Sequence, residues 1–478
     1  MTATDIKTVQ SPQKLVAAPE RPEYVASEVR EPKRDWSLGP VTGHRITVVV
    51  CMSLGVLVLY QLQGFLWPEG RPAHGWFEQA WSYGAILWLS AVVPGLMGLV
   101  GLLAFRHAER LDEVRPIPVL VCWRIVSRGD NVEALTGTIR RCQREMARTP
   151  LFPYVIEVVT DTVSTCLPPP NQDLVYLAVP LDYRTPKGTL YKARALQFAL
   201  EHSALPDDAW IVHLDEETQP TSSGIKGIAR MIGEEEHTGT PRIGQGAILY
   251  HRDWRTHPFL TLADNVRTGD DFARFHFQSR LHRTVFGMHG SYIVVRNDVE
   301  KSSGFDFGPV GSITEDAFWA LVCMEGGHRC RWVDGYLEEQ STRSIGDFVR
   351  QRRRWFQGLA KVALFAPVKP RWRISLGINT TLWALAPFGL LYTIGHLVYG
   401  FQVDPWIRAL ANGSFASFLT LYILGLRANL AEHGITGGRA AGWIAAQAVL
   451  LPVFSAMEAI GVLMAILKPA AGFHVVKK

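Results

Sequence analysis

The sequence predicts an α/β domain carried between apolar helices long enough to cross a membrane. Three observations point there. Apolar residues make up 47% of the chain and gather toward its two ends, while charged residues are only 19%, against about a quarter in ordinary globular proteins. Between the ends, short apolar runs alternate with helix-period segments. Polar residues stand at strand ends, two of the runs stopping at carboxylates, Asp161 and Asp215, as strands do when a site lies beyond their carboxyl ends.

The elements follow in chain order. Residues 1–44 are polar and proline-bearing with no apolar run, which predicts a disordered tail and no secretory signal. Residues 45–105 are expected to hold two membrane helices. Ile46–Trp67 carries no charge, and at 1.5 Å per residue it reaches roughly 33 Å, enough for a bilayer core. Pro68, Gly70 and Pro72 turn the chain back into a second uncharged span, Tyr83–Phe105. Trp67, Trp76, Trp81 and Tyr83 gather at this turn like an interfacial aromatic belt.

Residues 106–373 have the composition of a sizeable soluble domain. Strands are expected at Ile117–Val126, Tyr154–Thr160, Leu174–Val179 and Ala209–Leu214, with helices at Val132–Ala147 and Thr189–Leu200. Residues 374–478 hold three further apolar stretches, Ile374–Phe401, Trp406–Leu426 and Trp443–Leu467. Arg408, Asn412 and Ser414 make the middle stretch the weakest span, and Asn412-Gly-Ser is a formal glycosylation sequon. Arg106, His107 and Arg110 border the central block on one side, and Lys361, Lys369, Arg371 and Arg373 on the other. With Lys33, Arg34 and Arg45 they place the block and the N-terminus in the cytosol by the positive-inside rule. Lys468, Lys477 and Lys478 then conflict with three full C-terminal spans, unless one stretch is re-entrant or lies along the surface.

A net charge of only +5 and no basic stripe argue against a nucleic-acid partner. Six cysteines show neither a C-x-x-C pair nor zinc spacing, and read as packed, reduced thiols of a cytosol-facing domain.

Three segments carry chemistry. In AWIVHLDEETQP a strand delivers Asp215, Glu216 and Glu217 at its tip. In an extended chain Asp215 and Glu217 share a face while Glu216 points away. Two such carboxylates suit a hard cation, Mg²⁺ or Mn²⁺, completed by waters and substrate phosphates; the bland alternative is a solvated acidic loop. Thr314, Glu315 and Asp316 then open an apolar helical run. Thr314 fits a helix cap with two acids favoured by the dipole, or one acid serves as a general base. In IGDFVRQRRRWFQGL, Arg350, Arg352, Arg353 and Arg354 stand beside Gln351, Trp355 and Phe356. So many guanidinium groups want anions: a diphosphate, acidic lipid headgroups or nearby carboxylates. The Trp can stack on a sugar or close a substrate slot. Upstream, Asp161 ends a strand where it can accept from a nucleobase N–H, and Lys192, with Arg194 nearby, sits where a helix start can neutralise a diphosphate.

An acid pair at a strand tip, the TED at Thr314–Asp316 and Q-x-x-R-W at Gln351, Arg354 and Trp355 resemble the membrane-bound family-2 glycosyltransferases, which include cellulose, chitin and hyaluronan synthases. SRGDN at Ser127–Asn131, the KARALQ segment within Val179–Gln197, HLDEET at His213–Thr218 and HGSY at His289–Tyr292 are closer still to the Egghead-type β-1,4-mannosyltransferases. The resemblance covers most of 106–373 and the flanking spans. It implies a Rossmann-like α/β domain of the GT-A fold on the cytosolic face, and an inverting, metal-dependent hexosyltransferase. The donor would be a nucleotide-diphosphate sugar, GDP-mannose or a UDP-sugar, and the acceptor lipid-linked or a glycan. Carried over by position, Asp215 and Glu217 bind Mn²⁺ or Mg²⁺, and Asp161, Lys192 and Arg354 bind the nucleotide and diphosphate. Asp316 is the catalytic base; Trp355, Gln351, Glu315 and His289 line the acceptor slot. Glu217 departs from the common D-x-D but matches the Egghead-like form. The setting implied is a multi-pass membrane protein among membrane lipids, in the plasma membrane of a bacterium or the endoplasmic reticulum or Golgi of a eukaryote. Two other functions fit the same motifs: a processive β-polysaccharide synthase, and an inactive scaffold that keeps the fold.

Overall fold

A computed structural model describes residues 40–66, 72–106, 111–239, 242–252, 254 and 256–469. Most of the expected tail, Lys33, Arg34, Trp67, Pro68, Gly70, His107, Arg110, Lys477 and Lys478 lie outside the described residues. The chain opens with α1 (Pro40–Leu66), then α2 (Trp76–Tyr83) and α3 (Val92–Ala104), which a 3-10 stretch joins into one 29-residue apolar span.

The next elements alternate as the apolar runs require: β1 (Val121–Ser127), α4 (Val132–Arg148), β2 (Tyr154–Thr160), β3 (Leu174–Ala178), α5 (Tyr191–His202) and β4 (Trp210–Asp215). Then come β5 (Gln219–Pro220), α6 (Ser222–Thr238), β6 (Ile243–Leu249), α7 (Pro258–Asp270), α8 (His276–Arg280), β7 (Ile293–Arg296), α9 (Asn297–Ser303), α10 (Glu315–Glu325) and β8 (Cys330–Glu338). All eight strands form one mixed sheet in the order β3-β2-β1-β4-β7-β6-β8-β5. β1 pairs in parallel with β2 and β4, and β7 runs antiparallel between β4 and β6.

The first strands are mostly apolar because both faces of the sheet are covered. Trp123 and Ile125 of β1 point with Trp210, Val212 and Leu214 of β4 into a core closed by α4 and α6. Cys122 and Val126 point the other way, into a core with Leu196 of α5 and Trp319 of α10. One buried charge cluster ties these strands together behind their tips. Arg124 of β1 donates to Glu157 of β2 at 2.6 Å and to Glu300 of α9 at 2.8 Å, and His213 of β4 lies 2.8 Å from Glu300. In register, Val126 of β1 faces Asp215 of β4, and Ser127 faces Thr160 of β2. Three parallel strands therefore end together, and the carboxylates stand on their common edge.

The chain returns through α11 (Ile345–Phe365) to α12 (Pro370–Tyr399), α13 (Pro405–Glu432) and α14 (Gly437–Leu467). Among the described residues, five helices are thus long and apolar enough to cross a membrane. The stretch expected to be weakest is an unbroken 28-residue helix and the most buried of the five. Its polar residues are satisfied internally. Asn412 exchanges amide hydrogen bonds with Gln63 of α1 at 2.8 and 3.1 Å, Ser414 donates to the Leu410 carbonyl, and Arg408 lies over Tyr60. Asn412 is only 3% exposed, so the sequon is sealed. All six cysteines are unpaired.

Helix α13 also crosses α7 at close range. Asn265 of α7 donates to Gln447 of α14 at 2.9 Å and accepts from Asn429 of α13 at 2.5 Å. At the crossing a Cβ on Gly425 would stand 1.9 Å from the Asn265 carbonyl oxygen. Gly425→Ala should therefore force the helices apart and cost about 3 kcal/mol. Gly413→Ala on the same helix, with nothing within 4 Å of its added Cβ, should be neutral or stabilising. Thermal unfolding midpoints of the two variants in detergent check this; equal midpoints would contradict the tight crossing.

Candidate active site

Strand β4 ends at Asp215 and the chain turns at once, with the Thr218 N–H donating to the Asp215 carbonyl at 3.0 Å. The alternation expected of an extended tip is therefore lost. Glu216 does not point away from the site; its carboxylate lines the same cavity as Asp215 and Glu217 and accepts from Ser127 Oγ at 2.5 Å. The HGSY segment braces this turn. Ser291 Oγ accepts the Asp215 N–H at 3.0 Å and lies 2.9 Å from the Thr218 hydroxyl.

Lys192, at the start of α5, reaches across to bond Asp215, donates to the Gly290 carbonyl at 3.0 Å and lies 3.6 Å from Glu315. Glu315 and Asp316 occupy the first turn of α10. Thr314 takes the N-cap position, but its side chain makes no capping bond; the cap predicted from sequence is positional only. Asp316 accepts from the Ala317 N–H at 2.7 Å. Burial raises the proton affinity of both acids, with Asp316 and Asp215 pushing Glu315 further and Lys192 opposing. Asp316 is raised above its ordinary value by burial and by Asp215, with Lys192, the Ala317 N–H and His289 opposing the rise.

Arg354 projects from α11 into the same space. Its burial weakens its hold on a proton, while Glu315, Asp215, Glu217 and Asp316 strengthen it. Gln351 and Trp355 line the cavity beside it. The face of Trp355 carries protein cations: the guanidinium carbons of Arg267 and Arg352 lie 4.6 and 4.3 Å from its ring centroid. His289 packs on Phe275 at 4.2 Å and lies 2.7 Å from the buried Asp271 carboxylate. Asp161 follows β2 and is paired with Arg194, which also donates to the Pro180 carbonyl at 3.1 Å.

The ten residues given site roles from the sequence thus border one cavity of about 1810 Å³, whereas Arg350 pairs with Asp347, Arg353 donates to the Lys468 carbonyl and Phe356 packs against Val462, all outside it. It does not stop at the sheet edge. Leu376, Trp383, Leu390 and Leu397 of α12, Phe415 of α13 and Leu62 of α1 line its continuation, so along α12 alone it follows about 30 Å of helix. The remote polar groups there are paired with one another, Gln63 with Asn412 and Trp88 with Thr393 at 2.8 Å.

Sequence reasoning missed Arg267, Asp271, the partner of His289, and Glu458. The first two are brought in by folding alone and left no local mark. Glu458 was readable: a carboxylate inside an apolar membrane-length run is a functional signal in itself.

A strand-edge acid cluster, a second acid pair on a helix entry and an arginine near both share one cavity at the edge of an α/β sheet, and the chain belongs to the family-2 glycosyltransferases. Residues 210–430 match the family described as Glycosyl transferase family group 2. Its relatives narrow the branch. Beta-1,4-mannosyltransferase bre-3 of Caenorhabditis briggsae is 32% identical over 72% of this chain and 74% of its own length. Beta-1,4-mannosyltransferase egh of Drosophila melanogaster is 29% identical over 82% and 85%. Among solved structures, the mannosyltransferase PcManGT from Pyrobaculum calidifontis in complex with GDP-Man and Mn²⁺ is similar over 82% of this chain and 100% of that one, at 14% identity and a TM-score of 0.45.

Proposed function

We propose that this protein transfers mannose from GDP-mannose to a hydroxyl of a lipid-linked acceptor, with inversion to a β-linkage. The relatives in its branch are β-1,4-mannosyltransferases. The observation that carries the lipid acceptor is the cavity itself, which opens from Asp316 into a space walled by membrane-length helices.

Each residue then has work fitted to its place. Asp161 and Arg194 lie where the base would sit, and Lys192 and Arg354 face the diphosphate. Gln351, Glu315, His289 and Trp355 border the acceptor. Asp316 takes the proton from the attacking hydroxyl on the face opposite the leaving group, so an α-linked donor yields a β-linked product. Arg354 is preorganised toward the negative charge that develops on the departing diphosphate.

The donor set suits a hard divalent cation, Mn²⁺ or Mg²⁺, held by Asp215 and Glu217. Acids crowd the pocket, yet among the described residues no three His, Cys, Asp or Glu are grouped to hold an ion alone. That is the expected pattern where phosphate oxygens and water complete the shell. When bound, the ion would neutralise the leaving diphosphate.

The basic residues bordering the domain, Arg106, Lys369, Arg371 and Arg373, support a cytosolic active face. A polymer channel is less well supported. Sugars need exposed hydrogen-bonding partners, whereas the far wall is apolar and its Gln63–Asn412 and Trp88–Thr393 groups are already paired.

Purified protein should release GDP from GDP-mannose in the presence of Mn²⁺ or Mg²⁺ and membrane lipid extract, and form a short, organic-extractable product. Turnover of UDP-glucose instead, into long polymer, would overturn the proposal. Nucleotide binding without turnover would favour an inactive scaffold.

A further inference from the structure

Trp355 stands half-buried in the cavity wall with two guanidinium groups on its ring. Both cations are aimed there by other residues. Arg352 is fully buried, donates to Asp264 of α7 at 2.7 Å and is paired with Glu458 of α14. It also lies 4.2 Å over Phe348. Arg267 lies 4.1 Å over Tyr250, with the Glu339 carboxylate 3.9 Å away. Two carboxylates from two other helices thus aim Arg352 at the ring, while Arg267 stacks on both Tyr250 and Trp355.

The arrangement is costly as mere packing. A buried ion network seldom stabilises a fold more than apolar side chains of similar size, and a carboxylate within a membrane-length helix is expensive unless it serves a site. Asp264 and Glu458 for Arg352, and the Tyr250 ring for Arg267, instead hold planar guanidinium groups in a stacking geometry that a lysine ammonium cannot reproduce. The ring borders the same cavity as Asp316 and the residues of the membrane-length helices.

We infer that Arg267 and Arg352 are positioning residues, which fix the Trp355 ring as the wall against which the acceptor sugar is oriented. Glu458 ties that wall to α14, so the ring keeps a set position relative to the membrane helices. The inference rests on the acceptor reading of the cavity given above. The two arginines act through Trp355 and touch no reacting atom.

The test is a double-mutant cycle read in steady-state kinetics, with GDP-mannose as donor and a panel of dodecyl β-hexosides as acceptors. Arg267→Lys keeps the charge and loses the planar stack. It is expected to raise the acceptor KM about tenfold, with kcat and donor KM changed by less than about twofold. Trp355→Leu should do at least as much, and the double variant should be no worse than Trp355→Leu alone, because the arginine works only through the ring. Additive effects, or an equal rise in donor KM, would overturn the inference. So would a fall in kcat with both KM values unchanged, since a merely structural role lowers the active fraction. Wild-type protein that turns over GDP-mannose but glycosylates no hexoside of the panel would instead remove the acceptor reading, and the inference with it. Because the wild type itself is then silent, the two failures are distinct.

Discussion

Replacing Asp316 by Asn is expected to lower mannose transfer by about 10³-fold while GDP binding stays close to wild type. The side chains are nearly isosteric, and an Asn oxygen can still accept the Ala317 N–H that holds Asp316 at 2.7 Å. What disappears is the ability to take a proton. Asp316 shares the first turn of α10 with Glu315, and Glu315 is the nearest carboxylate that could stand in. It is 7% exposed and lies 3.6 Å from Lys192, so it is engaged with that cation. On the proposed mechanism Glu315, held beside Lys192, borders the acceptor without taking its proton, and Asp316 is the base. Single-turnover transfer and equilibrium GDP binding, measured on the same preparation, separate chemistry from binding. Retained transfer in Asp316→Asn, with loss in Glu315→Gln, would reverse the assignment.

The first half of the sheet was legible because each strand is an apolar run ended by a polar residue. Tyr154–Thr160 is bounded in the structure as the β-branched run predicted, and β1, β3 and β4 differ from expectation only at their ends. The second half was not legible. β6 reads IGQGAIL, and glycines in such a run suggest a turn. The fold needs Gly246 because the Tyr292 ring lies across the strand there, and an added Cβ would stand 2.2 Å from it. β7 has only four residues, and Gly335 interrupts β8 with φ of 74°.

The candidate site divides in the same way. Its acids were visible because they stand at the end or entry of one element, and its Q-x-x-R-W because the whole pattern lies within the single helix α11. The partners that shape them come from distant segments: Arg194 for Asp161, Asp271 for His289, Asp264 and Glu458 for Arg352. The sugar-stacking role first open to Trp355 is altered for this reason, because the guanidinium groups on its ring arrive from α7 and from its own helix. Nor could a charge count place Glu216 in the cavity, since that depends on the chain turning right after Asp215 rather than continuing extended.

Removing the strand-tip carboxylate should be as damaging as removing the base, and by a different route. Asp215→Asn is expected to lower kcat/KM for GDP-mannose by about 10³-fold, and EDTA should do the same to wild type until Mn²⁺ is restored. Lys192 bonds Asp215 and the Gly290 carbonyl, so it stays anchored when the carboxylate becomes an amide, and the fold at β4 is held by Ser291. The lost quantity is negative charge toward a cation, which Lys192 cannot replace. Glu216→Gln supplies the contrast. A Gln oxygen can still accept from Ser127, so activity should stay within about threefold of wild type. Mn²⁺ binding with GDP, followed by electron paramagnetic resonance, reads the effect without catalysis. Weakened Mn²⁺ binding in Asp215→Asn but not in Glu216→Gln assigns the ion to the Asp215 side of the turn. Equal weakening in both would mean that the whole acidic turn holds the ion diffusely, and normal binding in Asp215→Asn would remove Asp215 from the metal site.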